Sequence, residues 1–367
     1  MSNKLLLWEE QINMEKKRLN WIDMAKGFAM ILVMFGHAPI LMPIQAEVYT
    51  FHVPLFFFMS GYLFSNVKYN KFSAFLKKRI ITIGIPYFCF SFIEYIYFFV
   101  FNNKQNVSPL KSFIGTLLPL RYNNGTLHNG TLWFIACLFM CEMIFFLIVK
   151  WTKNDKRKII TCLVVSAIIG GIYNTYIGKP LPWSLDVSFI AVVFYGIGYL
   201  IKGMENKVSK LVSIKYLVVF LIINVIIGHL NVRCMNARVD MSSIEYGNYF
   251  LFFGSAISGI MASLIFCRLL PKSKLLIYIG KNSIIFFAFH QMILYPIIDK
   301  LITHINFLTS EKSYIVTLNG IIHVGVTLIV MIPIIYVINN YMPFILGKRF
   351  SKKGTNKYED TSITDKI

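Results

Sequence analysis

Charge is what this chain has least of. Only 15% of its 367 residues are charged, and just 17 are acidic, against roughly 25% charged residues in soluble domains. That shortage excludes a string of water-soluble domains, whose outer surface needs polar side chains. Disorder is excluded by the opposite excess, since 56% of the residues are hydrophobic and 33 are Phe. Cysteine is scarce too: six residues with no even, close spacing exclude a disulfide-stapled secreted scaffold. Cys89, Cys137, Cys141, Cys162 and Cys267 fall in or beside apolar runs, and Cys234 falls in a loop, so no disulfide is expected. No cleavable leader is expected either. Residues 1–20 are mixed polar, and the first apolar run is too long and lacks a small-residue cleavage site.

What is present is apolar sequence in long runs, with a mean hydropathy of +0.61. A membrane span needs about 20 mostly apolar residues. Ten segments qualify: 22–42, 48–66, 80–101, 132–150, 159–177, 185–202, 214–230, 247–268, 276–298 and 315–338. The second and sixth are short and interrupted by Gly or Pro. The fold expected is an all-α integral membrane protein of about ten transmembrane helices, a multi-pass protein of the cell membrane. No internal repeat is evident, which weakens an inverted-repeat transporter.

The net charge of +20 does not point to nucleic acid, because its cations form no basic face on any one element. They alternate instead. With the N-terminus placed in the cytoplasm, inner segments hold 27 of the 37 Lys and Arg and outer loops hold 8, with Lys26 and Lys281 at span ends. Cytoplasmic retention of cations gives this pattern, so both termini are expected inside. The expected organisation is a cytoplasmic segment 1–21, a ten-helix membrane domain 22–345 and a cytoplasmic tail 346–367, disordered from Ser351 to Ile367. The longest outer loop, 102–131, gathers Asn, Gly and Thr in Asn123–Thr131.

Ionisable groups inside spans are costly and therefore mark candidate sites. In the first span Lys26 and His37 are eleven residues apart, three turns plus about 20°, so they share one face about 16 Å apart along the axis. Asp23 lies one turn below Lys26. His37 stands about 22 Å up its helix from Ile22, and His290 about 21 Å up from Leu276. His52 sits near the outer end of the second span. Three histidines thus reach a similar level on three helices. A neutral imidazole there suits general-base activation of a hydroxyl. Zinc is disfavoured, because no Cys or carboxylate has ligand spacing and no His-x-x-x-His occurs. Ser60 follows no nucleophile-elbow pattern. Glu94 and Glu142 lie inside spans and need partners that nothing local identifies.

Lys26-x10-His37 resembles the Arg/Lys-x10-His signature of the membrane-bound acyltransferase-3 family. Four more stretches resemble its fucose 4-O-acetylase-like branch: Phe51–Tyr62 (FHVPLFFFMSGY), Leu132–Ile135, Leu181–Asp186 and Ile279–Ser283. They occur in order between roughly residues 18 and 340. The resemblance implies ten core helices and transfer of an acyl group, usually acetyl, from an acyl-CoA donor to a glycan hydroxyl. It implies His37 as the essential catalytic residue and Lys26 as serving the donor or the site geometry; His290 and His52 are further catalytic candidates from their shared level with His37. Lys78 and Arg79 stand near the family's Arg-x-x-Arg, blurred here to Lys77–Lys78–Arg79. Trp133, Asn282 and Ser283 are alternative oxyanion donors, and Asp23 and Asp186 are further candidate site residues. A C-terminal esterase-like domain, common in the family, is not expected.

The chemistry expected is therefore O-acetylation of a cell-surface or lipid-linked polysaccharide. Acetyl-CoA is the expected donor substrate, and no metal is expected. Partners are the lipid bilayer, the glycan or lipid-linked sugar acceptor, and either a second copy or a glycan-assembly protein. Succinyl transfer to a poly-N-acetylglucosamine exopolymer and transport of a lipid-linked glycan are the alternatives. A purely structural scaffold would leave the cost of Lys26 and His37 unexplained.

Overall fold

The computed structural model describes residues 20–65, 69, 71–102, 108–119, 121 and 130–348. The expectations for residues 1–19, for most of Asn123–Thr131 and for the Ser351–Ile367 tail lie outside the described residues. Among the described residues the chain is helical with no strand, apart from one isolated bridge between Asp240 and Glu245. The helices are α1 (Asn20–His37), α2 (Met42–Tyr49), α3 (His52–Leu63), α4 (Phe72–Phe101), α5 (Pro109–Leu117), α6 (Trp133–Trp151) and α7 (Lys156–Tyr176). They continue with α8 (Leu185–Lys202), α9 (Glu205–Ser209), α10 (Ile214–Met235), α11 (Tyr249–Leu269), α12 (Lys274–Lys281), α13 (Ser283–Ile302) and α14 (Ser313–Tyr341).

Eight of these, α4, α6, α7, α8, α10, α11, α13 and α14, are long and apolar enough to cross a membrane. The protein is a multi-pass membrane protein. Two expected spans fall outside that set for different reasons. Helix α1 carries Asp23 and Lys26, whereas the second span is apolar but becomes helical only from His52, after a break at Thr50–Phe51 that follows α2, so that α3 has just 12 residues. The ninth expected span is likewise split, at Asn282, into α12 and α13. Cys234, expected in a loop, lies instead in the last turn of α10, because that helix runs past the apolar segment to Met235. All six cysteines are free thiols.

Helix starts follow capping chemistry. Asp155 accepts from the Arg157 and Lys158 amides to open α7, and Asn248 accepts from the Phe250 and Leu251 amides to open α11. Two π turns, Ile80–Gly84 in α4 and His290–Leu294 in α13, each precede a proline, Pro86 and Pro296, whose missing N–H loosens the regular ladder. Helices α8 and α11 are mostly buried and form the centre, whereas α7 and α10 turn most of their apolar surface outward, as lipid contact requires.

Two helix contacts set the frame. A Cβ on Gly27 would lie 2.0 Å from the Leu276 carbonyl oxygen, and one on Gly280 would lie 1.9 Å from the Asp23 carbonyl oxygen. Helices α1 and α12 therefore meet backbone to backbone through reciprocal glycines. Gly61 and Gly198 make the same contact between α3 and α8. Close approach through small residues is how helices pack where water gives no hydrophobic drive.

Candidate functional site

The α1–α12 contact has a consequence ten residues further along. Counting ten from Gly27 reaches His37, and ten from Gly280 reaches His290. The two imidazole centroids are 5.4 Å apart. Tyr49, from the end of α2, stands beside them: its hydroxyl is 3.3 Å from His37 Nδ1, and its ring centroid is 4.8 Å from that of His52. The break at Thr50–Phe51 thus brings the end of α2 and the start of α3 to the tip of α1. His37, His290 and His52 form one cluster around Tyr49, and this end is here called the histidine end.

Their hydrogen bonds distinguish the three rings. His52 Nδ1–H donates to Val48 O at 2.7 Å, and His290 Nδ1–H donates to Phe286 O at 2.8 Å. A backbone carbonyl only accepts, so each ring is pinned with its proton on Nδ1 and its lone pair on Nε2. His290 Nε2 is buried with no hydrogen-bond partner among the described residues. His37 is different. It is the last residue of α1, half-buried, and its Nδ1 meets a hydroxyl, which can donate or accept. Behind the cluster, the Tyr295 hydroxyl donates to Met34 O at 2.7 Å, and the ring abuts His290 and His323. His323 in turn meets Asp299 at 2.9 Å.

A chain of polar contacts reaches the cluster from the loop between α10 and α11. The Arg238 guanidinium lies 4.1 Å over the Tyr49 ring and 3.5 Å from Asp240. Asp240 accepts from the Ser242 amide at 2.9 Å, and Ser242 O accepts from Arg121 Nε at 2.7 Å. Arg121 then grips Asp186 with both terminal nitrogens, one at 2.9 Å. Asp186, a candidate site residue from sequence, is fully buried and engaged there. It anchors the loop that carries Arg238 and does not join the histidines.

The opposite end of α1 is ionic. Arg79 Nε lies 2.5 Å from Glu142 Oε2, and its guanidinium also lies 4.9 Å over the Phe75 ring. Tyr195 and Lys26 both lie within electrostatic reach of Glu142. Asp23 is buried on α1, and Lys26 is half-buried. Lys78 is half-buried on α4, beside Arg79. This basic end and the histidine end are the two poles of one helix.

The remaining sequence candidates lie elsewhere. Asn282 donates to Tyr278 O at 2.8 Å and accepts from Asn339 at 2.9 Å, so its amide is spent on packing. Eight residues separate it from His290, about 12 Å along a helix. Ser283 opens α13 at that same level. Trp133 opens α6, edge-on to Phe134, which stacks on Phe287 one turn before His290. Tyr49, Arg238, Arg121 and Asp240 were not singled out from sequence. The available signal was Arg121 and Arg238 among the three outer-loop arginines standing against the charge bias, with Asp186 in a span needing a cation. Among the described residues, no group of three or more His, Cys, Asp or Glu could hold a metal ion.

The acyltransferase domain family matches residues 19–340. The chain belongs to the acyltransferase-3 family. The match runs from just before α1 to the end of α14, so both poles lie inside it. The chain of this family member is also similar to Nodulation protein NolL of Mesorhizobium japonicum, 30% identical over 158 residues. That similarity covers 40% of this chain and 39% of the relative's length. No solved structure matches the chain.

Proposed function

We propose that the protein is a membrane O-acyltransferase moving an acetyl group from a cytosolic acyl-CoA to a hydroxyl of a cell-surface or lipid-linked polysaccharide. The observation that carries this reading is the geometry of α1, an ionic pole about 16 Å below an imidazole cluster on one helix. Family membership supports the reaction class, and the likeness of Phe51–Tyr62 and Leu181–Asp186 to sugar O-acetylases supports a glycan acceptor. The charge alternation supports a cytoplasmic basic end.

In this reading Lys26, Lys78 and Arg79 offer fixed positive charge to the phosphates of the donor, whose thioester arm extends along α1. His37 Nδ1–H donates to Tyr49, which leaves Nε2 as the general base. Nε2 takes the proton of the acceptor hydroxyl as its oxygen attacks the thioester carbonyl carbon. The C–S bond breaks, and the imidazolium returns the proton to the departing thiolate. His290, its lone pair fixed by Phe286, accepts a hydrogen bond from the acceptor. Arg238 and Asp186 act through Tyr49 and the loop and are positioning residues.

Mass spectrometry of surface glycans from cells with and without the protein tests the proposal. One acetyl group lost with the protein is the expected result. A succinyl difference corrects the donor, and a glycan of unchanged mass in an altered location overturns acyl transfer.

A further inference from the structure

The contacts behind the histidine cluster form a chain that begins at His323 on α14, whose side chain is 1% exposed. Its Nδ1 lies 2.7 Å from Asn319 O, and its Nε2 lies 2.9 Å from Asp299 Oδ1. A carbonyl oxygen only accepts, and so does a carboxylate. The Asp299 side chain is 64% exposed near the end of α13, where water solvates its charge. Both ring nitrogens of His323 therefore carry protons. Unlike His52 and His290, each pinned with one proton on Nδ1, His323 is held as an imidazolium. The other segments against this part of α14 are Pro39–Ile40 beside Gly320 and Asn306–Thr309 beside Asn319. Neither contains a charged or titratable side chain. Asp299 is the charge that answers His323.

Tyr295 is the next link. It stands one turn before Asp299 on α13, so one side chain from α14 can meet both. The His323 ring does so, edge-on to Tyr295 with centroids 5.1 Å apart. The π turn of α13 decides what Tyr295 meets beyond. The Tyr295 N–H donates to His290 O, the i to i+5 bond of that turn. Five residues of a regular α-helix would set the two side chains about 140° apart. The wider turn brings the rings together, with centroids 5.7 Å apart. The Tyr295 hydroxyl then donates to Met34 O, which also accepts from the Ala38 amide and so belongs to the last turn of α1. His37 is the final residue of that helix. One ring thus holds His290 from the side and His37 through its backbone.

We infer that His323 is a positioning residue for acyl transfer: as an imidazolium bound to Asp299, it fixes Tyr295 and through that ring the placement of His37 against His290. The inference rests on the acyl-transfer reading and adds to it a charged clamp that touches no substrate. No bond is made or broken at His323.

The test uses the full chain in lipid nanodiscs at neutral pH, acetyl-CoA as donor, and surface glycan purified from cells lacking the protein as acceptor. Asp299→Asn keeps the shape of this exposed side chain, and its amide can donate to a neutral Nε2. kcat should fall about tenfold, a modest share of what misplaced reacting groups can cost, while donor and acceptor KM stay within about twofold. Asp299→Glu should recover most of the loss. Tyr295→Phe, which strips Met34 O of its hydroxyl donor, should lower kcat to a similar degree. The double variant should be no slower than the slower single one, because both act through one ring. Nitrogen NMR of histidine-labelled protein should show two protonated ring nitrogens at His323 in the wild type and one in Asp299→Asn. Unchanged kcat in Asp299→Asn, or a singly protonated His323 in the wild type, overturns the inference while leaving acyl transfer standing. Losses that multiply in the double variant, or a KM that rises as far as kcat falls, also overturn it. Wild-type protein that transfers no acetyl group to this glycan removes the acyl-transfer reading, and the positioning role with it.

Discussion

Helix α1 has two poles, and their chemistry is opposite. At the basic end Glu142 is buried and ion-paired with Arg79, with Tyr195 and the field of Lys26 completing its surroundings. At the histidine end Glu94 is just as buried and meets no partner among the described residues, as does His290 Nε2. A membrane interior penalises both arrangements unless something answers the charge or the lone pair. The first pole is answered by the chain itself, which makes it a preassembled electrostatic frame. The second has no such answer among the described residues. In the proposed reading, the contrast separates residues that hold the bundle together from residues that meet a substrate.

The sharpest break in that contrast is His37→Ala. Glycan acetylation should fall by about a thousandfold or more, the range of a lost general base, with membrane insertion intact by protease protection. Normal acetyl content in that variant would remove the mechanism. Next in size is Glu142→Gln, which strands Arg79. Breaking one side of a buried pair costs about 3 kcal/mol, so thermal unfolding in detergent should drop by several degrees. Glu94→Gln in the same assay should change little or rise, and a matching drop in both would erase the distinction between the poles. Lys26→Ala should raise the donor KM about tenfold and Lys26→Arg much less, since a charge–phosphate contact is being asked of it. Equal loss in both would point to hydrogen-bond geometry. The smallest effect belongs to Arg238→Gln, which should lower kcat severalfold through Tyr49 and leave the donor KM unchanged; a shift in donor KM would place Arg238 on the donor path.

The two poles were not equally legible in the sequence. The spans, the shared face of Lys26 and His37, and the common depth of three histidines follow from helical periodicity and rise per residue, which are local quantities. The rings of His37 and His290 indeed meet. Pairing is not local. Arg121 finds Asp186 across 65 residues and Ser242 across 121, separations over which periodicity carries no information. Asn282 looked like an oxyanion donor because it sits in a motif-like stretch, but the break between α12 and α13 turns its amide to Tyr278 and Asn339. Tyr49 was hidden for a similar reason: a continuous second span would leave it on a helix flank, whereas the break at Thr50–Phe51 swings it to the tip of α1.

The reciprocal contact of Gly27 with Gly280 works as a vernier for the chemistry above it. Ten residues of α1 carry the alignment upward by about 15 Å on one side, and on the other the break at Asn282 leads into α13 and up to His290. A slip of a single residue would turn one imidazole away by about 100°. A saturation scan of this chain should therefore find these two glycines as intolerant of replacement as His37, although neither lies within reach of any reacting atom.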